Sequence, residues 1–175
     1  IFMSVSRTMI KANGVRGIPS NECLREVNNL LCEESLNSMF VTTFYGVYDL
    51  ESGCIEYPNA GHNHPYILHA DGTVEQLVTS RNLVLGAMEG ISFKSDTMQL
   101  QPGDIIYLYT DGVTEAETHN KDQFGEERLL AWATECAKHP ECSEKALVED
   151  LYATVKQFTH DNEPNDDITI LAVRV

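Results

Sequence analysis

The run IIYLY at residues 105–109, followed at once by Thr-Asp-Gly, constrains this chain more than any other stretch. Each of its five side chains is β-branched, leucine or aromatic, which is the make-up of a strand buried in a core. Thr110, Asp111 and Gly112 then place a carboxylate at the strand's tip. The end of the chain reverses that order, with Asp166 and Asp167 standing just ahead of the apolar run ITILAVRV. If the two strands are antiparallel neighbours, Asp111 and Asp166 meet at one edge of the sheet. Carboxylates held close repel one another, unless one takes a proton or a cation lies between them. Oxygen-only donors select hard ions such as Mg²⁺ or Mn²⁺. The same residues also suit turn chemistry, with Asp111-Gly112 in an Asx-type turn and Asp166 or Asp167 capping a loop.

The rest of the chain supplies the elements around those strands. Residues 1–12 have near-helical spacing, and NGVRGIPS breaks it. Ser20 is the expected N-cap of a helix reaching about residue 37, with Leu24, Val27, Leu30 and Leu31 as its apolar stripe. From Met39 the period changes. FVTTFYGVY reads as a strand, DLESG as a turn and CIEYPNA as the next strand. AGHNHP is a loop, YILHADGTVEQL a hairpin turning at Asp71-Gly72, and ISFKSDTMQL a further strand. Helices are expected over 124–138 and after the N-cap Ser143, the latter with Leu147, Leu151, Val155 and Phe158 on one face. Hairpin-linked strands with helices grouped before and after them indicate an α+β fold.

Charge and composition narrow the function. The 175 residues include 27 acidic and 12 basic ones, a net charge of −15. Such a surface repels nucleic-acid phosphates and anionic membranes. No apolar run approaches the roughly 20 residues of a membrane-spanning helix. The five cysteines are odd in number and form no Cys-x-x-Cys pair, so a disulfide scaffold and a zinc ribbon are not expected, and a reducing cytoplasm is. His62 and His64 have the His-x-His spacing of some metal sites, but Gly61 and Pro65 mark the segment as a turn with a structural role. The chain opens at Ile1 and not at Met, so it is expected to be a piece of a longer protein.

Five segments, in order, resemble the SpoIIE-type bacterial serine phosphatases of the metal-dependent protein phosphatase (PPM) superfamily. They are MFVTTFYGVYDLESG, YPNAGHNHPYIL, LGAMEGISF, LQPGDIIYLYTDGVTEA and NDDITILAVRV. The resemblance implies an αββα sandwich of two packed antiparallel sheets flanked by helices, with residues 1–175 as one phosphatase domain. It implies two Mn²⁺ or Mg²⁺ ions with Asp111 and Asp166 as ligands. Asp167, Gly112 and Glu115 are then expected around those ligands or in capping roles. It implies water attack on a phosphoserine or phosphothreonine, and a phosphoprotein substrate of the STAS-domain, anti-sigma-factor-antagonist kind. The family's Asp-x-x-Gly motif, which belongs ahead of the first long helix, is not among these residues. Weakened metal binding and activity are therefore expected, with a sensor or receiver domain upstream. A phosphatase-like module that binds a partner without hydrolysis is the alternative. The helices at the chain's start are candidates for a homodimer face.

Overall fold

The computed structural model describes residues 2–34, 39–160, 162 and 166–175. In chain order the elements are α1 (Phe2–Gly14), α2 (Ser20–Glu34), β1 (Thr43–Phe44), β2 (Val47–Tyr48), β3 (Cys54–Tyr57), β4 (Asn59–Ala60) and β5 (Tyr66–Leu68). They continue with β6 (Val74–Gln76), β7 (Asp96–Gln99), β8 (Ile105–Tyr109), α3 (Asp111–Thr114), α4 (Gly125–Ala137), α5 (Glu144–Thr159) and β9 (Ile170–Arg174). Helices with antiparallel sheets make this the expected α+β fold. None of the described helices is long and apolar enough to cross a membrane. The chain divides into two compact units, Ile1–His62 with Val78–Gln99, and Asn63–Leu77 with Leu100–Val175.

The first unit holds α1 and α2, the antiparallel pair β1–β4 and the three-stranded sheet β2-β3-β7. Cys23, Leu24, Val27 and Leu31 of α2 pack with Ala60, Leu85 and Phe93 in its core. Leu30, expected in that stripe, is 39% exposed. Positions 24, 27 and 31 follow the 3.6-residue period around one face, whereas Leu30 falls at that face's edge. Ser20 also differs from expectation. It begins the helix itself, and its buried hydroxyl bonds to Glu56 on β3 and lies 2.8 Å from the Ser95 hydroxyl. The end of α2 expected near residue 37 falls outside the described residues. The expected strand FVTTFYGVY is two short strands parted at Tyr45-Gly46. A Cβ on Gly46 would lie 3.0 Å from the Ile55 side chain, so glycine lets β3 pack close.

The second unit carries one antiparallel sheet in the order β6-β5-β8-β9. Tyr66 faces Tyr107, and Leu68 faces Ile105, across the β5–β8 pair. One face of the sheet therefore presents Tyr66, Leu68, Ile105, Tyr107 and Tyr109. Against it lie Leu129, Trp132 and Ala133 of α4 and Leu147, Leu151 and Val155 of α5. Tyr107 is fully buried; its ring centroid is 5.0 Å from that of Trp132 and its hydroxyl donates to the Leu147 carbonyl at 3.2 Å. The Trp132 indole N–H donates to Asp150 at 2.7 Å. Each buried aromatic thus satisfies its one polar group, as an interior residue must.

Candidate active site

β8 and β9 pair antiparallel from Ile105↔Arg174 to Tyr109↔Ile170. The C-terminal tip of β8 and the N-terminal tip of β9 consequently share one end of the sheet. Thr110 extends the ladder by one step beyond the last strand pair. Its N–H donates to the Thr169 carbonyl at 3.0 Å, and its hydroxyl donates to the Asp167 carbonyl at 2.9 Å. The same hydroxyl accepts the Thr169 N–H at 3.0 Å. This double use of one side chain fastens residues 166–169 to the end of β8.

Asp111 follows directly and opens the single turn α3, where its carbonyl accepts the Glu115 N–H at 2.7 Å. It is therefore the first residue of a helical turn and not part of an Asx turn. Gly112 is buried, and a Cβ there would stand 2.5 Å from the Asp167 carbonyl oxygen and 3.2 Å from that of Asp166. Contacts that short are not tolerated, so the absence of a side chain is what lets the two tips lie together. Asp166 and Asp167 are both exposed. Asp166 accepts the Asp167 N–H through Oδ1 at 2.7 Å, a local cap that leaves lone pairs of the carboxylate open. Glu115, the C-cap of α3, is exposed one turn beyond Asp111.

The tip has a braced foundation. Tyr66 and Tyr109 stack with centroids 6.0 Å apart, and both hydroxyls donate to Glu126 in the first turn of α4, at 3.2 Å and 3.1 Å. Burial, then the neighbouring Glu126 charge, pushes the Tyr66 phenol up to about 12. The same two causes push Tyr109 up as well. Both phenols therefore stay protonated as donors at any physiological pH. Thr110 and this pair of tyrosines stand outside the site residues expected from sequence. The adjacency of Thr to Asp-Gly at a strand's end was the available signal for Thr110.

The donor chemistry fits a hard divalent cation in part. Asp111 and Asp166 are exposed oxygen donors carried on adjacent strand tips, the type that Mg²⁺ and Mn²⁺ accept. Among the described residues, however, no group of three or more His, Cys, Asp or Glu side chains converges on one point. His62 and His64 sit instead in loop contacts. The Asn59 side chain accepts the His62 N–H and donates to the His62 carbonyl, and the His64 Nδ1 lies 3.0 Å from the Leu77 carbonyl.

The family model for stage II sporulation protein E (SpoIIE) matches residues 1–175. The phosphoserine phosphatase RsbU of Bacillus subtilis is 31% identical over 175 residues, covering 99% of this chain and 50% of RsbU. The crystal structure of the RsbU and RsbW domains of a Mycobacterium tuberculosis protein superposes with a TM-score of 0.77 at 25% identity, over 99% of this chain and 46% of that one. The SiaA PP2C domain of Pseudomonas aeruginosa gives a TM-score of 0.78 at 20% identity, over 99% of this chain and 69% of that one, and so shares the fold. The chain spans at most half the length of the curated relatives it matches.

Proposed function

Because this chain belongs to the SpoIIE family of PPM-type phosphatases, we propose that it is a metal-dependent phosphoserine or phosphothreonine protein phosphatase of bacterial signalling. The observation that carries this reading is the joining of two acid-bearing strand tips by Thr110, with Gly112 leaving room for the contact. In this reading Asp111 and Asp166 hold divalent cations, Mn²⁺ or Mg²⁺. Such ions supply an activated water and neutralise phosphoryl oxygens. Asp167 and Glu115 orient the ligand carboxylates or cap the loops that carry them. A rigid sheet edge holds both acids at a set separation, which favours reaction over a looser arrangement on loops.

In this reading Asp111 and Asp166 are part of the ligand set, since no group of three or more His, Cys, Asp or Glu side chains converges among the described residues. Under the same proposal residues 1–175 form most of a phosphatase domain that acts as the effector part of a longer regulatory protein, in the cytoplasm. Its substrate in this reading is a phosphorylated STAS-type regulator. The same shortage of ligands favours a second reading, a phosphatase-like module that binds its partner without hydrolysis.

Mn²⁺-dependent hydrolysis of a phosphoserine peptide and of p-nitrophenyl phosphate separates the two. It is measured on this chain and on a version with any coding sequence found ahead of Ile1 restored, each with and without Asp111→Asn. The phosphatase reading expects activity in the restored version, lowered by at least about a hundredfold in Asp111→Asn. Folded protein with no activity in any version supports the binding module.

A further inference from the structure

We propose that a groove of the first unit, between α1 and the β1 segment, docks an acidic segment of the protein substrate. Naming the substrate as the partner rests on the phosphatase reading, whereas the chemistry of the groove does not. The groove encloses about 460 Å³ and is lined by Met3, Ile10, Val41 and Phe44, with Arg7 and Lys11 along the α1 wall. Met3 is 73% exposed, and Phe40, next in sequence to Val41, is 62% exposed. An apolar hollow with an exposed large side chain such as Met3 in its lining is a common form of protein-binding surface.

The two cations identify the occupant. Arg7 and Lys11 lie one turn apart on α1 and are both exposed. Like charges at that spacing destabilise a helix. Acidic residues outnumber basic ones 27 to 12 in this chain, so partners for cations are plentiful. Arg16, Arg25, Lys121, Lys138, Lys145 and Arg174 all take carboxylate partners. Arg128 and Lys156 lie over aromatic rings. Arg7 and Lys11 form no ion pair among the described residues, and neither do Arg81 and Lys94, but Arg7 and Lys11 are the pair that stands one turn apart on the wall of this groove. Lys11 gains from the helix dipole in the last turn of α1, but Arg7 sits mid-helix and does not. A carboxylate placed between them relieves their repulsion, and the Arg7 fork can take it with two hydrogen bonds. A neighbouring apolar side chain of the same segment then fills the hollow. The chain as a whole carries a net charge of −15, so two cations on the wall of an apolar groove offer an acidic peptide local attraction against that background.

The test is fluorescence anisotropy with a fluorescein-labelled peptide alternating leucine and glutamate, against a leucine–lysine peptide and vesicles of phosphatidylglycerol. Arg7→Glu/Lys11→Glu and Arg7→Gln/Lys11→Gln are compared with the parent chain, with circular dichroism to establish folding; both sites are solvent-exposed. The proposal expects the glutamate peptide to bind, with about tenfold weaker affinity after charge reversal and an intermediate loss in the glutamine pair. Equal binding of the lysine peptide, binding untouched by either double variant, no binding, or preference for the vesicles would each overturn it. Activity on p-nitrophenyl phosphate, measured in the version with any coding sequence ahead of Ile1 restored, is expected to be the same with and without either double substitution. The groove and the catalytic reading therefore stand or fall separately.

Discussion

At the scale of single residues, two positions in the second unit decide more than their size suggests. Gly112 has no side chain, and that is its contribution. Gly112→Ala would push a methyl group to 2.5 Å from the Asp167 carbonyl. The expected cost is about 1–3 kcal/mol in thermal unfolding, from overpacking, with a displaced Asp166 tip and weaker Mn²⁺ binding by titration calorimetry. Unchanged stability would mean that the tip yields freely and that the bracing described for it is not needed. Asp104, at the opposite end of β8, works by bonding. It is buried, accepts the N–H groups of Gln101 and Ala70 at 2.9 Å each, and meets the His69 Nδ1 at 3.1 Å. Burial alone would raise its pKa, but those donors outweigh burial and hold the carboxyl below the ordinary aspartate value. With the folded pKa below the unfolded one, its stabilisation is complete above the ordinary value and is lost as pH falls through the folded one. Asp104→Asn is expected to cost about 1–3 kcal/mol in urea unfolding at neutral pH, and the gap from wild type should shrink below about pH 4.

At the scale of elements, the ends of α5 carry opposite expectations. Ser143 is the N-cap expected from sequence, and its hydroxyl accepts the Ala146 N–H. The C-cap, His160, is held in the left-handed region at φ 53°. A side chain there is strained, and glycine is the residue that fits. Thermal unfolding should therefore show Ser143→Ala losing about 1 kcal/mol and His160→Gly gaining roughly 0.5–1 kcal/mol. If both substitutions destabilise, the His160 ring contributes a contact that outweighs its backbone strain. Element types were legible where periodicity ran long: α4 lies within one residue of the expected 124–138 at each end, and α5 starts directly after its expected N-cap. Strand lengths were not. ISFKSDTMQL yields only the four residues of β7, because a strand extends no further than its partner β3 can bond it. The turn α3 had no signal, since four residues are too few for a helical period.

At the scale of the whole molecule, the chain passes between its two units at 62–63, 77–78 and 99–100. The hairpin β5–β6 is thereby joined to β8, and β8 to β9, across long intervals of sequence. Sequence alone determined the α+β class, most of the apolar faces of α2 and α5, and the placing of a carboxylate at one end of the buried strand β8 and ahead of β9, which the structure shows to be an edge strand with no buried residue. These are local facts, written in periods of two and 3.6 residues and in turn chemistry. Only the tertiary structure decided that β8 and β9 are neighbours, that Thr110 binds both Asp167 and Thr169, and that Gly112 must stay bare. It alone set Arg7 and Lys11 together on the wall of an apolar groove, with no carboxylate partner among the described residues. The physical reason is that pairing between distant segments depends on which surfaces complement one another after the chain has closed, and no local pattern records that choice.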